Sequence, residues 1–307
     1  MKIGIVDADT SHPQNWIPLE RELGHQVVGL WDGGAVHPAE YVKRFAQEHQ
    51  VPRVFERLEE MVGEVDCAVI HGCDWDSHLD KARPFVEAGK AVLLDKPMVG
   101  KLQDVQQLLD WAAQGKRISG GSSLRFAAEV RAYLAEPVEE RGKVHTAFAG
   151  CGTDEFNYGI HAYALLSGLM GPGVRAVRYL GASAQKHLQI TWKDGRIGYL
   201  CIGEGAWLPF HITAITERKV RQIICDNSKL YRSLLENVLP YLAGQQENPP
   251  LTMAELLEPE LCALAARQSW LQGGTEVFLN DLRLDDPGYD GALFARGYRR
   301  QRYPAGS

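Results

Sequence analysis

The chain has little cysteine, no surplus of basic charge and no long apolar run. Its six cysteines, at 67, 73, 151, 201, 225 and 262 of 307 residues, include no CxxC pair. A disulfide-built scaffold would be shorter and denser in Cys, so reduced thiols in a cytoplasmic protein are expected. Lys and Arg number 33 against 39 Asp and Glu, a net charge of −6, which leaves no basic excess to neutralise phosphates and argues against a nucleic-acid binder. The apolar runs at 67–70 and 91–94 fall far short of the ~20 residues a membrane span needs. The opening MKIGIVDAD places one Lys before acids, unlike a secretory signal. No internal repeat or low-complexity tract is present. What remains, 45% hydrophobic and 23% charged residues, is the composition of a folded globular protein. The length exceeds the ~150-residue guide for one domain and points to two.

Residues 1–120 alternate short β-branched runs with helical patterns, the signature of a parallel sheet with crossover helices. Strands are expected at 2–7, 26–31, 53–55, 66–71, 91–94 and 117–119. Helices are expected at 13–23, 38–49, 58–62, 79–88 and 102–114, with Gly89 and Gly115 as left-handed C-caps. From about 143 strands follow one another, at 143–151, 174–181, 187–192, 197–202, 209–216 and 221–225, which suggests a mostly antiparallel sheet. Helices at 157–169, 228–243 and 253–271 accompany it. The polar tail from about 285 receives no assignment. The fold class is therefore α/β: an N-terminal doubly wound Rossmann-like domain, 1–121, and a C-terminal α+β domain with an open sheet, 122–307.

Several segments together resemble the Gfo/Idh/MocA oxidoreductases. They are Asp66-Cys-Ala-Val-Ile70, His78, Glu87-Ala-Gly-Lys90, Val92-Leu-Leu-Asp95-Lys96-Pro97, Ser123-Leu-Arg125-Phe126 and Asn157-Tyr-Gly-Ile-His161. The likeness runs in register over roughly 1–170. It implies a two-domain, NAD-dependent enzyme acting on sugars, cyclitols or related polyols, and pairing into a homodimer or homotetramer through open sheet faces. It makes Lys96 and His161 the catalytic pair: His161 would take the hydroxyl proton, and Lys96 would position the hydroxyl and share the charge. Histidine titrates near neutrality, as such a base requires. Arg125, Asn157 and Tyr158 would bind substrate, with Asp154, Glu155, Trp207 and His211 as further candidates. Along the dinucleotide would lie Asp7, Asp9, Thr10, Ser11, His12, Asp32, Cys73, Asp74, His78 and Asp95.

One stretch departs from the family. Where its phosphate turn carries three glycines, this chain has Asp7, Asp9 and His12. Glycines there permit the tight turn, the approach of pyrophosphate and close helix packing, and carboxylates would repel the phosphates. Thr10 or Ser11 capping a helix with Pro13 in its first turn still offers an anion-binding N-terminus. Asp32, after the second strand, stands where an acid bonds the ribose of NAD and disfavours NADP. A second expectation follows from the departure. The carboxyl ends of the first and fourth strands lie side by side, bringing Asp7, Asp9 and His12 near His71, Cys73, Asp74, Asp76 and His78. A metal near Asp9, His12 and His78 would change the chemistry to elimination or hydrolysis of a glycoside. No recognised metal spacing supports it. Asp76 or Ser77 capping the next helix is the plainer reading.

Overall fold

The computed structural model describes residues 1–304. The first domain is built from β1 (Lys2–Val6), α1 (His12–Glu22), β2 (Gln26–Trp31), α2 (Ala39–Glu48), α3 (Leu58–Val62), β3 (Cys67–Ile70), α4 (His78–Glu87), β4 (Ala91–Leu94), α5 (Leu102–Ala113) and β5 (Ile118–Gly120). All five strands pair in parallel in the order β2-β1-β3-β4-β5. β3 and β4 are buried along their whole length, as expected of parallel strands covered on both faces. Gly89 and Gly115 take φ of 72° and 74°, ending α4 and α5 as left-handed caps. The sequence path turns back between β1 and β3, so a crevice opens outside their carboxyl ends, the usual place for a ligand in this architecture.

The edge strand expected at 53–55 does not form: Val54 makes one isolated bridge to Leu30. Before α4 Ser77 occupies the N-cap position, as one of the two expected residues, but its hydroxyl donates to the Asp74 carbonyl and caps no helix amide. A 3₁₀ turn spans Trp75–Ser77, and Asp74 accepts the amide of Asp76.

The second domain begins with short helices α6 (Ala128–Ala135) and α7 (Val138–Arg141), which the sequence reading missed. They lead into β6 (Val144–Cys151), α8 (Gly159–Met170), β7 (Val174–Ala182), β8 (Lys186–Trp192), β9 (Ile197–Ile202), β10 (His211–Thr216), β11 (Val220–Ile224), α9 (Asn227–Leu242) and α10 (Met253–Leu271). A two-residue strand β12 (Val277–Phe278) completes a sheet ordered β11-β10-β6-β9-β8-β7-β12. Its pairings are antiparallel except β6 with β9. α8, almost wholly apolar, is buried between this sheet on one side and α10, α6 and the turn at 123–126 on the other, as an all-round hydrophobic helix must be. α10 starts with a full capping box between Thr252 and Glu255.

The tail left unassigned by sequence is a helix, α11 (Gly291–Arg302), capped by Asp290, whose carboxylate accepts the Leu293 amide. It returns to the first domain. Residues 305–307, the end of the expected second domain, lie outside the described residues.

Inside the first domain, α1 buries Glu20 completely, with neither carboxylate oxygen bonded. Burial pushes its pKa up to about 8. The native state thus holds a proton that the unfolded chain releases near pH 4.5, so this group contributes stability that is lost as pH rises through about 8. Between those limits the unfolding free energy should fall by about 1.4 kcal/mol per pH unit on its account. Urea melts of wild type and Glu20→Gln from pH 5 to 8 should show the slope reduced in the variant. Equal slopes would refute the assignment.

Candidate active site

The carboxyl end of β4 supplies Asp95 and Lys96, and the sequence around them gathers the site. Asp95 is buried, yet His12 and His71 hold its carboxyl well below the usual range against the burial that opposes charge. One oxygen, Oδ2, accepts from His12 Nδ1 at 2.6 Å and from His71 Nδ1 at 2.9 Å. The other accepts the Lys96 amide at 2.7 Å. Trp16 stacks along His12 and meets His71 edge-on, closing the apolar side of the clamp.

Lys96 points from this clamp toward the second domain. Its Nζ donates to Asn157 Oδ1 at 2.9 Å and to the Asn157 carbonyl at 3.1 Å, and it lies 5.5 Å from the centre of the Tyr158 ring. Burial lowers its pKa, against the pull of Asp95 and Asp154. His161, in the first turn of α8, pairs through Nδ1 with the Ser122 hydroxyl at 2.7 Å. Burial, then Lys96 and His12, keep its pKa well below that of a free imidazole, so the ring is neutral at pH 7 and Nε2 is left for a substrate. These groups line a pocket of about 240 Å³ with Ser11, Ser123, Trp207, Phe210, Asn227, Leu230 and Tyr231.

Among the substrate candidates, Tyr158 and Trp207 line this pocket. Asn157 is engaged in holding Lys96. Arg125 does not line the pocket and borders a separate 10 Å³ void beside Glu260. Asp154 turns inward to accept the Phe156 and Tyr158 amides. Glu155 is paired with Lys186 and Arg267, and His211 with the Pro209 carbonyl. Tyr231, Leu230 and Asn227 were not anticipated, because they come from the start of α9, some seventy residues beyond the motifs.

The glycine-lacking turn has its own order. Asp7 adopts φ of 67°, in the left-handed region where Asp is tolerated better than most side chains. Its carboxylate accepts from Lys81 Nζ at 2.6 Å and from the Gly33 amide at 2.9 Å. Burial opposes the Lys81 charge, but Asp7 raises its pKa overall. Asp9 accepts the Cys73 amide through Oδ2 while Oδ1 has no partner. Burial and then Asp7 push its pKa up to about 7. Asp32 bonds the Ala8 and Gly34 amides at 2.9 and 2.7 Å, and burial followed by Asp7 raises its pKa. Thr10 accepts the His12 amide. Asp74 is spent on its cap, and His78 bonds the Met98 and Gly72 carbonyls with its two nitrogens. Cys73 is buried against α11.

A dinucleotide laid along this edge would meet buried carboxylates, an amide already bonded to Asp32, and α11 packed over the turn. In this arrangement the crevice residues do not fit it. The expected metal group is not assembled either, since both His78 nitrogens are occupied by carbonyls. His12, His71 and Asp95 do lie with ligand atoms within 4.8 Å. Both imidazoles direct Nδ1 at one oxygen of Asp95, however, which is a hydrogen-bonding pattern.

Three comparisons place the chain among known proteins. Residues 1–120 match the profile of the oxidoreductase family with an NAD-binding Rossmann fold. The trans-1,2-dihydrobenzene-1,2-diol dehydrogenase of Danio rerio is 30% identical over 110 residues, 36% of this chain and 31% of that protein. The 1,5-anhydro-D-fructose reductase of Ensifer adhaerens is 29% identical over 131 residues, 42% of this chain and 38% of its own. The chain thus spans about a third of the length of the curated relatives it matches. A probable dehydrogenase from Thermotoga maritima superposes over 92% of this chain and 100% of that one, with a TM-score of 0.78 and 14% identity. Scyllo-inositol dehydrogenase from Lactobacillus casei, solved with NAD(H) and scyllo-inositol, superposes over 91% and 99% with a TM-score of 0.76 and 16% identity. At these identities the structural likeness is one of fold.

Since Asp7 and Lys81 form a buried pair, removing one partner strands the other. Lys81→Met should cost roughly 3–5 kcal/mol of stability, and Asp7→Asn in the same chain should recover much of it. Urea melts of the two singles and the double measure this. Strict additivity would deny the pairing.

Proposed function

We propose that this chain, whose residues 1–120 belong to the oxidoreductase family with an NAD-binding Rossmann fold, oxidises or reduces a CH–OH group of a small polyol. A sugar or cyclitol is the substrate class, and a nicotinamide dinucleotide is the hydride carrier. The observation that carries this reading is the meeting of Lys96 and His161 in one small pocket at the carboxyl edge of the parallel sheet. A volume of about 240 Å³, below the ~300–1,000 Å³ of sites for drug-sized ligands, suits a single-ring polyol.

The roles follow from chemistry on both sides. His161, neutral and held through Nδ1 by Ser122, takes the hydroxyl proton at Nε2. Lys96, anchored by Asn157, donates to the same oxygen and stabilises the alkoxide as it forms. Tyr158 and Trp207 offer ring faces to sugar C–H surfaces. The relatives named above act, by their names, on a diol and an anhydro-sugar, which supports the substrate class. NAD is favoured over NADP by Asp32, whose charge would repel a 2′-phosphate. The outward face of the second sheet carries exposed Phe148, Val220 and Ile224, which the pairing register places on one side. It is the surface we assign to a homodimer or homotetramer.

A second reading, a redox-neutral elimination, draws on one observation: His12, fixed by Asp95, borders the same pocket as His161. Two imidazoles could then serve as base and acid without a hydride acceptor.

Incubation of the purified chain with sugars and cyclitols plus NAD or NADP, followed by nicotinamide absorbance, tests the first reading. Lys96→Ala and His161→Ala should each lower kcat/KM by about 10²–10⁴-fold with the fold intact. The acid limb of kcat/KM should lie below the free-imidazole value of about 6.5, because His161 loses its proton early, and the alkaline limb below the free-lysine value of about 10.4. Turnover within a few-fold of wild type in either variant would sink the assignment. Turnover independent of dinucleotide would favour elimination.

A further inference from the structure

The misfit between the crevice and a dinucleotide has one concrete source, helix α11. The loops that follow β2 and β3 stand on either side of β1, because the strand order is β2-β1-β3. α11 touches both loops and therefore crosses above the end of β1, where the phosphate turn lies. At its first residue the Gly291 amide donates to Asp76 Oδ2 at 3.0 Å. In its middle, Ala295 is buried with Val36 and Cys73, while Phe294 and Tyr298 pack on that cluster. Near its end Arg299 Nη1 donates to the Gly34 carbonyl at 2.8 Å. Just beyond, the Tyr303 hydroxyl meets His37 Nδ1 at 2.7 Å, and His37 Nε2 lies 3.2 Å from the Asp9 carbonyl. A single helix thus joins the ribose-side loop, the turn and the opposite loop.

Such a span is occupied by one thing at a time. We infer that α11 and the adenosine half of the dinucleotide compete for the same crevice, so that the cofactor binds only when this helix leaves it. The inference rests on the oxidoreductase reading for the identity of the competitor. The helix itself is suited to leaving. Its contacts with the crevice are a small apolar cluster, the packing of Phe294 on Trp75 and the core beside it, and a few hydrogen bonds at loop carbonyls and carboxylates, and its outer face is arginine-rich and exposed, so its local opening takes less than global unfolding.

Charge also suits an exchange. α11 carries Arg296, Arg299, Arg300 and Arg302 over a crevice whose edge holds Asp7 and Asp9 in the turn after β1 and Asp32 after β2. Asp7 is already neutralised by Lys81, and burial keeps Asp9 largely protonated below about pH 7. The turn is therefore far less negative than its composition.

The arithmetic of selection then predicts weak apparent affinity. If the open form is a tenth of the population, the measured Kd for NAD is about ten times the intrinsic one. Two full-length variants shift that balance without touching Lys96, His161 or Asp32. In Gly291→Val, a β-carbon at 291 would come within 2.7 Å of the Trp75 and Asp76 backbone nitrogens, which forces the start of the helix outward. Arg299→Ala with Tyr303→Phe removes only the two end anchors and leaves the core untouched, a safeguard should the first variant fold poorly.

The experiment combines amide hydrogen exchange over 291–302 with calorimetric titration of NAD. In either variant exchange should speed up and the Kd for NAD should fall severalfold, up to about tenfold when the open form starts as a tenth of the population. In wild type, saturating NAD should itself speed exchange of 291–302, since ligand and helix exclude each other. If wild type binds NAD while 291–302 stays protected, the competition is refuted and the oxidoreductase reading stands. If the helix is freed in both variants and neither binds NAD at millimolar concentration, the dinucleotide reading itself fails and the competition with it.

Discussion

Everything at the edge of the parallel sheet depends on one buried carboxylate. Asp95 sits at the end of β4 and gathers a ring from the start of α1, a ring from the end of β3 and the next amide in its own chain. An ionised carboxylate away from water is tolerated only when such donors surround it. The same bonds fix the direction in which Lys96 leaves the sheet and set His12 on the pocket wall. The clamp therefore couples secondary structure to chemistry: it ties α1, β3 and β4 together and fixes the backbone from which Lys96 reaches Asn157.

Beyond that clamp the second domain completes the pocket rather than founding it. α8 is apolar on every side, so burial decides where it lies, and its first turn delivers His161 against Ser122 and Lys96. Asn157 takes the lysine's hydrogens through both its side-chain and its main-chain oxygen. An acid there would have strengthened the ammonium. The amide leaves burial free to lower it, which moves Lys96 toward the range where it can give up a proton as well as bond an oxygen.

Local periodicity made most of this architecture legible. α3, β4, β9 and α10 fall where alternation, apolar runs and glycine caps put them, and the lysine and histidine of the pocket were singled out by the resemblance of the segments that carry them. What was hidden depended on distance in sequence or on mixed composition. The wall from Leu230 and Tyr231 arises from tertiary packing of α9, which no local pattern reports. Arg125 follows its motif yet faces a different void, because the 3₁₀ turn of residues 123–126 rotates it away. α11 was masked by its arginines and glycines, although Gly291, Phe294, Ala295 and Tyr298 recur at the i, i+3, i+4, i+7 spacing of an amphipathic helix after an Asp cap.

The acidic turn reads differently once its partners are known. From sequence, Asp7 and Asp9 are two negative charges where phosphate should be welcomed. In the fold one is spent on Lys81 and Gly33, and the other is held in a site that favours its proton. Both therefore act first as backbone organisers: Asp7 bridges the turn to the loop after β2, and Asp9 bridges it to the loop after β3. Three glycines leave such a turn open and let a ligand supply the missing contacts. Carboxylates that supply those contacts themselves close the turn without a ligand, and a closed turn is a surface on which a helix can dock. The carboxylates and α11 thus act on the same loops: Asp7 and Asp9 tie the turn to the segments after β2 and β3, and α11 docks on those segments at Gly34, Val36, Cys73 and Asp76.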